Sequence, residues 1–208
     1  MPSPITHIAF TEKIYDKFFK DKDRKEFFIG TIFPDIRYLG VIERSKTHFE
    51  DLRLRDLEKD NPFTSGLKFH SITDEIRDAF MISRKVYSFC PKLEYINISL
   101  KFLEDQILYE KVGEWDEYIK FLDVILPDEL SFDIKKKDIR KWHVVLQKYF
   151  KKRPNQNVIS KFASKINLAS DVGVEIKKSL EIIKSIPEVN RIIKDLFNCF
   201  EGFLNNKK

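Results

Sequence analysis

A chain of 208 residues has room for one domain with a sizeable core and leaves little for a second catalytic module. Glycine (6) and proline (8) are scarce while Lys, Glu, Ile, Leu and Phe abound, which argues against a sandwich with many tight turns. The net charge of +5 comes from 38 basic and 33 acidic residues spread along the chain rather than from a basic tail, so charge alone does not specify an anionic partner.

The expected fold class is therefore all-α, a single multi-helix domain over residues 1–208. Cys90 and Cys199 have no CxxC spacing and read as buried or incidental thiols of a reducing compartment. The opening Met-Pro-Ser-Pro-Ile-Thr-His has no basic segment followed by an apolar one, and no run of about 18 apolar residues occurs. A soluble, cytoplasmic chain without a transmembrane segment is expected.

From Ser3 to Phe19, Phe10, Ile14 and Phe18 recur with helical period, and His7 lies on the same stripe, which turns it inward. By itself it reads as a hydrogen-bonded core histidine. The apolar segment Phe27 to Phe33 should stop at Pro34, because proline disfavours helical geometry in the residue before it. Asp35 then either caps a turn or is delivered to a buried centre, and periodicity cannot choose. A loop is expected over Ile36 to Lys46. His48 heads a charged stretch, Glu50 to Asp60, and is expected at the surface.

Thr64 or Ser65 can cap the next helix. On it Phe69, Ile76 and Phe80 form the apolar stripe, and His70 and Asp74 flank that stripe. Pro91 marks a new start, with a helix expected through Tyr109 on Leu93, Ile96, Leu100, Leu103 and Ile107. Glu104 and Asp105 interrupt it and are read either as exposed on a tilted helix or as further ligands, since buried carboxylates require a cation or donors. Helices are expected from Glu114 to Leu126, Phe132 to Lys152, Val158 to Ile186 and Pro187 to Leu204, with a frayed tail from Asn205 to Lys208. His143 shares a stripe with Ile139, Leu146 and Phe150, as a core histidine or an additional ligand. The basic clusters Lys135–Lys137 and Lys151–Arg153 read as solvated helix faces. No aromatic-interleaved nucleic-acid module accompanies them, so a nucleic acid or an acidic protein as partner is left unsupported.

The chemistry lies in the first third, which holds three of the four histidines. His70 and Asp74 stand four residues apart, a helical spacing that sets their Cβ atoms roughly 5–6 Å from each other. One imidazole nitrogen and one carboxylate oxygen, each about 2 Å from a metal, can then close on one ion. The order His7, Asp35, His48, His70, Asp74 supplies partners for that pair.

The segments Thr6-His7, Gly30-Thr-Ile-Phe-Pro-Asp35, Thr47-His48-Phe49 and Gly66-Leu-Lys-Phe-His70-Ser-Ile-Thr-Asp74 resemble the zinc-dependent phospholipase C family, related to the S1/P1 nucleases. The likeness is confined to residues 1–80. It implies an all-α metallohydrolase with its metal site built mainly from residues 1–110 and the C-terminal helices completing the core. In it Asp35, His48, His70 and Asp74 surround one zinc, and His7 helps hold a second, with Asp74 bridging. Mixed nitrogen and oxygen ligands suit zinc, with another divalent metal as the alternative. The expected activity is hydrolysis of a phosphate-containing substrate by a metal-activated water, with Asp35 and Asp74 as its catalytic carboxylates. The family's amino-terminal tryptophan ligand and its further histidine pair have no match, which leaves one or two ions and only Glu104, Asp105 and His143 as substitutes. The G-T-I-F-P-D and H-x-x-x-D segments are also similar to those of acyl-carrier-protein phosphodiesterases, helical hydrolases akin to HD-domain enzymes. The remaining alternative is a non-catalytic helical binding protein with a structural metal.

Overall fold

Helix starts follow the chemistry of their caps. In the computed structural model, which describes residues 3–166 and 170–207 and no side chains at 170 and 171, α1 (Pro4–Phe18) begins on a proline, whose missing N–H costs nothing at that position. The Asp23 carboxylate accepts from the Glu26 amide at 2.9 Å and starts α2 (Arg24–Ile32). The α3 helix (Pro62–Ser83) is capped by Asn61, whose side chain accepts from the Thr64 amide at 2.7 Å. Neither Thr64 nor Ser65 is the cap. The Ser65 hydroxyl instead donates to the Leu57 carbonyl.

Every element among the described residues is helical, as the composition predicts. After α3 come α4 (Val86–Phe89), α5 (Ile96–Leu108), α6 (Trp115–Phe121), α7 (Pro127–Leu130), α8 (Lys136–Phe150), α9 (Gln156–Lys165), α10 (Ser170–Lys184) and α11 (Pro187–Asn205). The expected helix from Glu114 to Leu126 stops at Phe121, and α5 starts at Ile96 rather than near Pro91. The expected Val158–Ile186 helix is two, with residues 167–169 of that expectation outside the described set. The α-helix of the apolar segment ends at Ile32, just before Pro34, as expected. That proline stands at the start of a 3₁₀ helix, Phe33–Leu39, which occupies the first part of the expected loop and ends at Gly40 in the left-handed region (φ 71°). The basic clusters are exposed, as expected.

The α2 and α3 helices touch backbone to backbone. A Cβ on Gly30 would lie 2.1 Å from the Phe63 carbonyl oxygen, and one on Gly66 would lie 2.0 Å from that of Phe27. Two glycines, one per helix, thus permit the crossing that sets His70 against the end of α2. Around it Phe10, Phe19, Phe27, Phe69 and Phe200 pack, with Phe10 stacked on Phe200 at 4.2 Å. The amphipathic α11 therefore closes the core that α1 and α3 open. Its tail is not frayed through Lys207, whose carbonyl accepts from the Leu54 amide and whose ammonium pairs with Glu75; Lys208 lies outside the described residues. Among the described residues no helix is long and apolar enough to cross a membrane.

Candidate metal centre

The five residues singled out from the first third meet at one place. His7 comes from the first turns of α1, Asp35 from the 3₁₀ helix after α2, and His70 and Asp74 from α3. His48 follows a short 3₁₀ turn, Arg44–Lys46. It is 7% exposed, which overturns its expected surface placement. Burial follows because Thr47 and His48 fold back onto α3, where the Phe49 amide donates to the Ser71 hydroxyl at 3.1 Å.

A second partner on each of two histidines bears on which nitrogen faces the centre. His70 Nδ1 lies 2.8 Å from the Thr31 carbonyl, which can only accept, so this nitrogen carries the proton and Nε2 keeps its lone pair. His48 Nδ1 contacts the Thr47 hydroxyl at 3.0 Å, and that hydroxyl also reaches the Arg44 carbonyl at 3.5 Å. If the hydroxyl donates to the carbonyl, it accepts from His48, and His48 Nε2 also keeps its lone pair. The two Nε2 atoms are 3.2 Å apart. If the hydroxyl instead donates to His48 Nδ1, His48 Nε2 carries the proton and donates to His70 Nε2; with two lone pairs, that distance calls for a cation or a shared proton between them.

Asp74 faces all three rings. Its Oδ1 is 3.4 Å from His7 Nε2, and its Oδ2 is 3.6 Å from His48 Nε2 and 3.8 Å from His70 Nε2. Neither oxygen has a hydrogen-bond partner, nor does either nitrogen of His7, nor Asp35 Oδ1, though all are buried. His7 stacks on His70 with centroids 3.8 Å apart and planes 15° from parallel. Stacked rings present their in-plane lone pairs side by side rather than to a common point. Potential ligand atoms fall within 4.8 Å of one another in two groups, His7 with His70 and Asp74, and Asp35 with His48 and His70.

No protein-family model, curated protein or solved structure matches the chain. The chemistry of the centre is therefore read from its own atoms.

The electrostatics of the centre follow from its burial. Burial holds the His7 and His70 imidazoles well below their usual range and takes His48 down to about 4, so the rings are neutral at physiological pH. Burial pushes the Asp35 carboxyl up to about 7, against the pull of Arg37 at 3.7 Å. Removing charged ligands from water without pairing them is costly, and a bound cation relieves that cost.

The three additional ligand candidates belong to other groups. Glu104 is buried on α5 but is gripped by the Arg77 guanidinium through Nε at 3.2 Å and through a shorter contact to Nη2. Asp105 accepts from the Thr6 amide (2.8 Å), the Thr6 hydroxyl (2.7 Å) and the Tyr149 hydroxyl (2.8 Å). His143 lies 2.7 Å from Glu129 through Nε2 and 3.1 Å from the Leu122 carbonyl through Nδ1, so neither nitrogen is open to an ion. Neither carboxylate is exposed on a tilted helix, because each meets donors from a distant segment. Conversely, Thr31, Thr47, Arg37, Arg44 and Lys101 also bear on the centre, and no motif assigns them a part in it. Lys101, half-buried on α5, acts on Asp35, Asp74 and His7 through its charge, and burial lowers its own pKa. The Thr31 contribution is a backbone carbonyl, which no residue type in the sequence marks.

Proposed function

We propose that the chain is a metal-dependent hydrolase of phosphate esters, with zinc as the expected ion. The observation that carries this reading is the set of buried, partnerless polar atoms of His7, Asp35 and Asp74 converging with the facing Nε2 atoms of His48 and His70. His48, His70, Asp35 and Asp74 would hold one ion. His7, whose lone pairs run beside those of His70 and whose Nε2 lies 3.4 Å from Asp74, would suit a second. A metal held there would supply an acidified water and charge neutralisation at a phosphoryl oxygen.

The chain's own groups do the positioning. The Thr31 carbonyl orients His70, and Thr47 orients His48, so these ligands are set before an ion arrives. Asp35, pushed up to about 7, can hold a proton near neutral pH and release it as a cation binds. The near-complete burial of the centre favours one second reading, a structural ion in a helical binding protein.

Metal content and hydrolysis of generic phosphomonoesters and phosphodiesters, measured beside His70→Ala and Asp74→Ala, separate these. The hydrolase reading expects stoichiometric metal and metal-dependent turnover, both lost in the variants. Stoichiometric metal with no turnover on either ester class leaves the structural ion. Absence of metal, with neither variant changing anything, removes the site altogether.

A further inference from the structure

Arg44 stands between the centre and solvent. Its side chain is 52% exposed, and its Nη2 lies 3.8 Å from Asp74 Oδ2, beyond hydrogen-bonding distance. Its backbone is tied to the ligand set, because the Arg44 carbonyl accepts from the His48 amide at 3.0 Å and from the Thr47 amide at 3.1 Å. One short turn therefore places both a ligand and a guanidinium. The surface cavities at Phe18–Leu54, about 300 Å³, and at Gln106–Lys184, about 480 Å³, include none of the five ligand candidates, so neither offers a separate approach to them.

Three cations, Arg37, Arg44 and Lys101, act on the carboxylates Asp35 and Asp74, while Arg77 is shared by Glu104 and Asp78. Histidine ligands are neutral, so each divalent ion bound there adds positive charge beyond what Asp35 and Asp74 offset. With Asp74 engaged by an ion, Arg44 would face a cation across about the distance it now keeps from a carboxylate. An anion between the two removes that repulsion. A dianion gains about twice the Coulomb attraction of a monoanion in the same place, and a guanidinium fork matches two phosphoryl oxygens at once.

We propose that the centre selects a doubly charged terminal phosphate over a diester, with Arg44 as the side chain that holds the phosphoryl oxygens and Arg37 and Lys101 supplying the surrounding charge. This deepens the hydrolase reading and rests on it. It makes the substrate a phosphomonoester and inorganic phosphate a retained product.

The test is calorimetric titration of inorganic phosphate and of dimethyl phosphate into the zinc-loaded protein, with zinc content measured on the same samples. Phosphate should bind at least about tenfold more tightly than dimethyl phosphate. Arg44→Ala should keep the wild-type zinc content and thermal stability while weakening phosphate about ten- to hundredfold, the range of one charge-assisted hydrogen-bonding group. Arg44→Lys should restore part of that loss. Full zinc content with phosphate affinity unmoved by Arg44→Ala, or with dimethyl phosphate bound as tightly as phosphate, overturns this proposal alone. A protein that takes up no zinc overturns the hydrolase reading and this proposal with it.

Discussion

Two sets of buried polar side chains share this helical core. In one, Glu104 is gripped by Arg77, Asp105 by Thr6 and Tyr149, and His143 by Glu129 and the Leu122 carbonyl. In the other, His7, Asp35 and Asp74 keep buried atoms without hydrogen-bond partners, and the Nε2 atoms of His48 and His70 face each other at 3.2 Å. Both sets are equally removed from water, so burial does not distinguish them. Completion does. A buried polar atom left unmade costs of the order of 1–3 kcal/mol, and a chain that completes one set while leaving several atoms open in its neighbour has left room for something that completes the second. The first set holds helices together, and the second is the one our proposal assigns to a cation.

Removing a member of each set should therefore have opposite effects. Glu104→Ala leaves the Arg77 charge buried and unpaired, and should cost about 3–5 kcal/mol in denaturant unfolding of the metal-free protein. Asp74→Asn removes a buried charge that has no hydrogen bond, so the metal-free protein should keep or gain stability. The loss appears only with metal. At a thousandfold excess over its dissociation constant, zinc should stabilise the wild type by about 4 kcal/mol, roughly 10 °C in melting temperature for a chain of this size, and Asp74→Asn should show almost none of that rise. If Asp74→Asn destabilises the metal-free protein as much as Glu104→Ala does, the division between the two sets is wrong.

The same division marks how far the sequence could be read. Helical period exposed the inward stripe of α1 and with it His7, and the i, i+4 spacing of His70 and Asp74 was legible because a single helix supplies both. The Gly30 and Gly66 positions were visible, but not that each glycine faces the backbone of the other's helix. The polar neighbours of His48 in sequence place it at the surface, whereas its burial comes from contact with α3, which local pattern does not encode. Glu104 and Asp105 were offered as ligands for a similar reason. Their partners lie 27 residues away in the case of Arg77 and 99 in the case of Thr6, and no periodicity reports a contact over such a separation. Arg44 and His48 are separated by three residues in a turn, where spacing carries no facing rule.

The smallest expected effect is also the sharpest on the open set. In the metal-free protein His48 is held down to about 4, and His7 and His70 lie well below 6.5. The unfolded chain takes up protons on all three as pH falls through 6.5 while the folded chain does not, so each histidine contributes stability that is lost on acidification. Asp35, raised to about 7, and Asp105, raised to about 6, act the other way, since the folded state binds their protons first and gains stability as pH falls toward 3.8. Three losses against two gains leave a net uptake of one proton on unfolding, a slope of about 1.4 kcal/mol per pH unit. Between pH 6 and 5 the chelated protein should accordingly lose about 1 kcal/mol in urea unfolding. In His7→Gln two histidine protons balance two carboxyl protons, and the slope should flatten. A slope that survives this substitution unchanged would mean that His7 is not kept as a neutral, partnerless ring, and the second ion position would lose its basis.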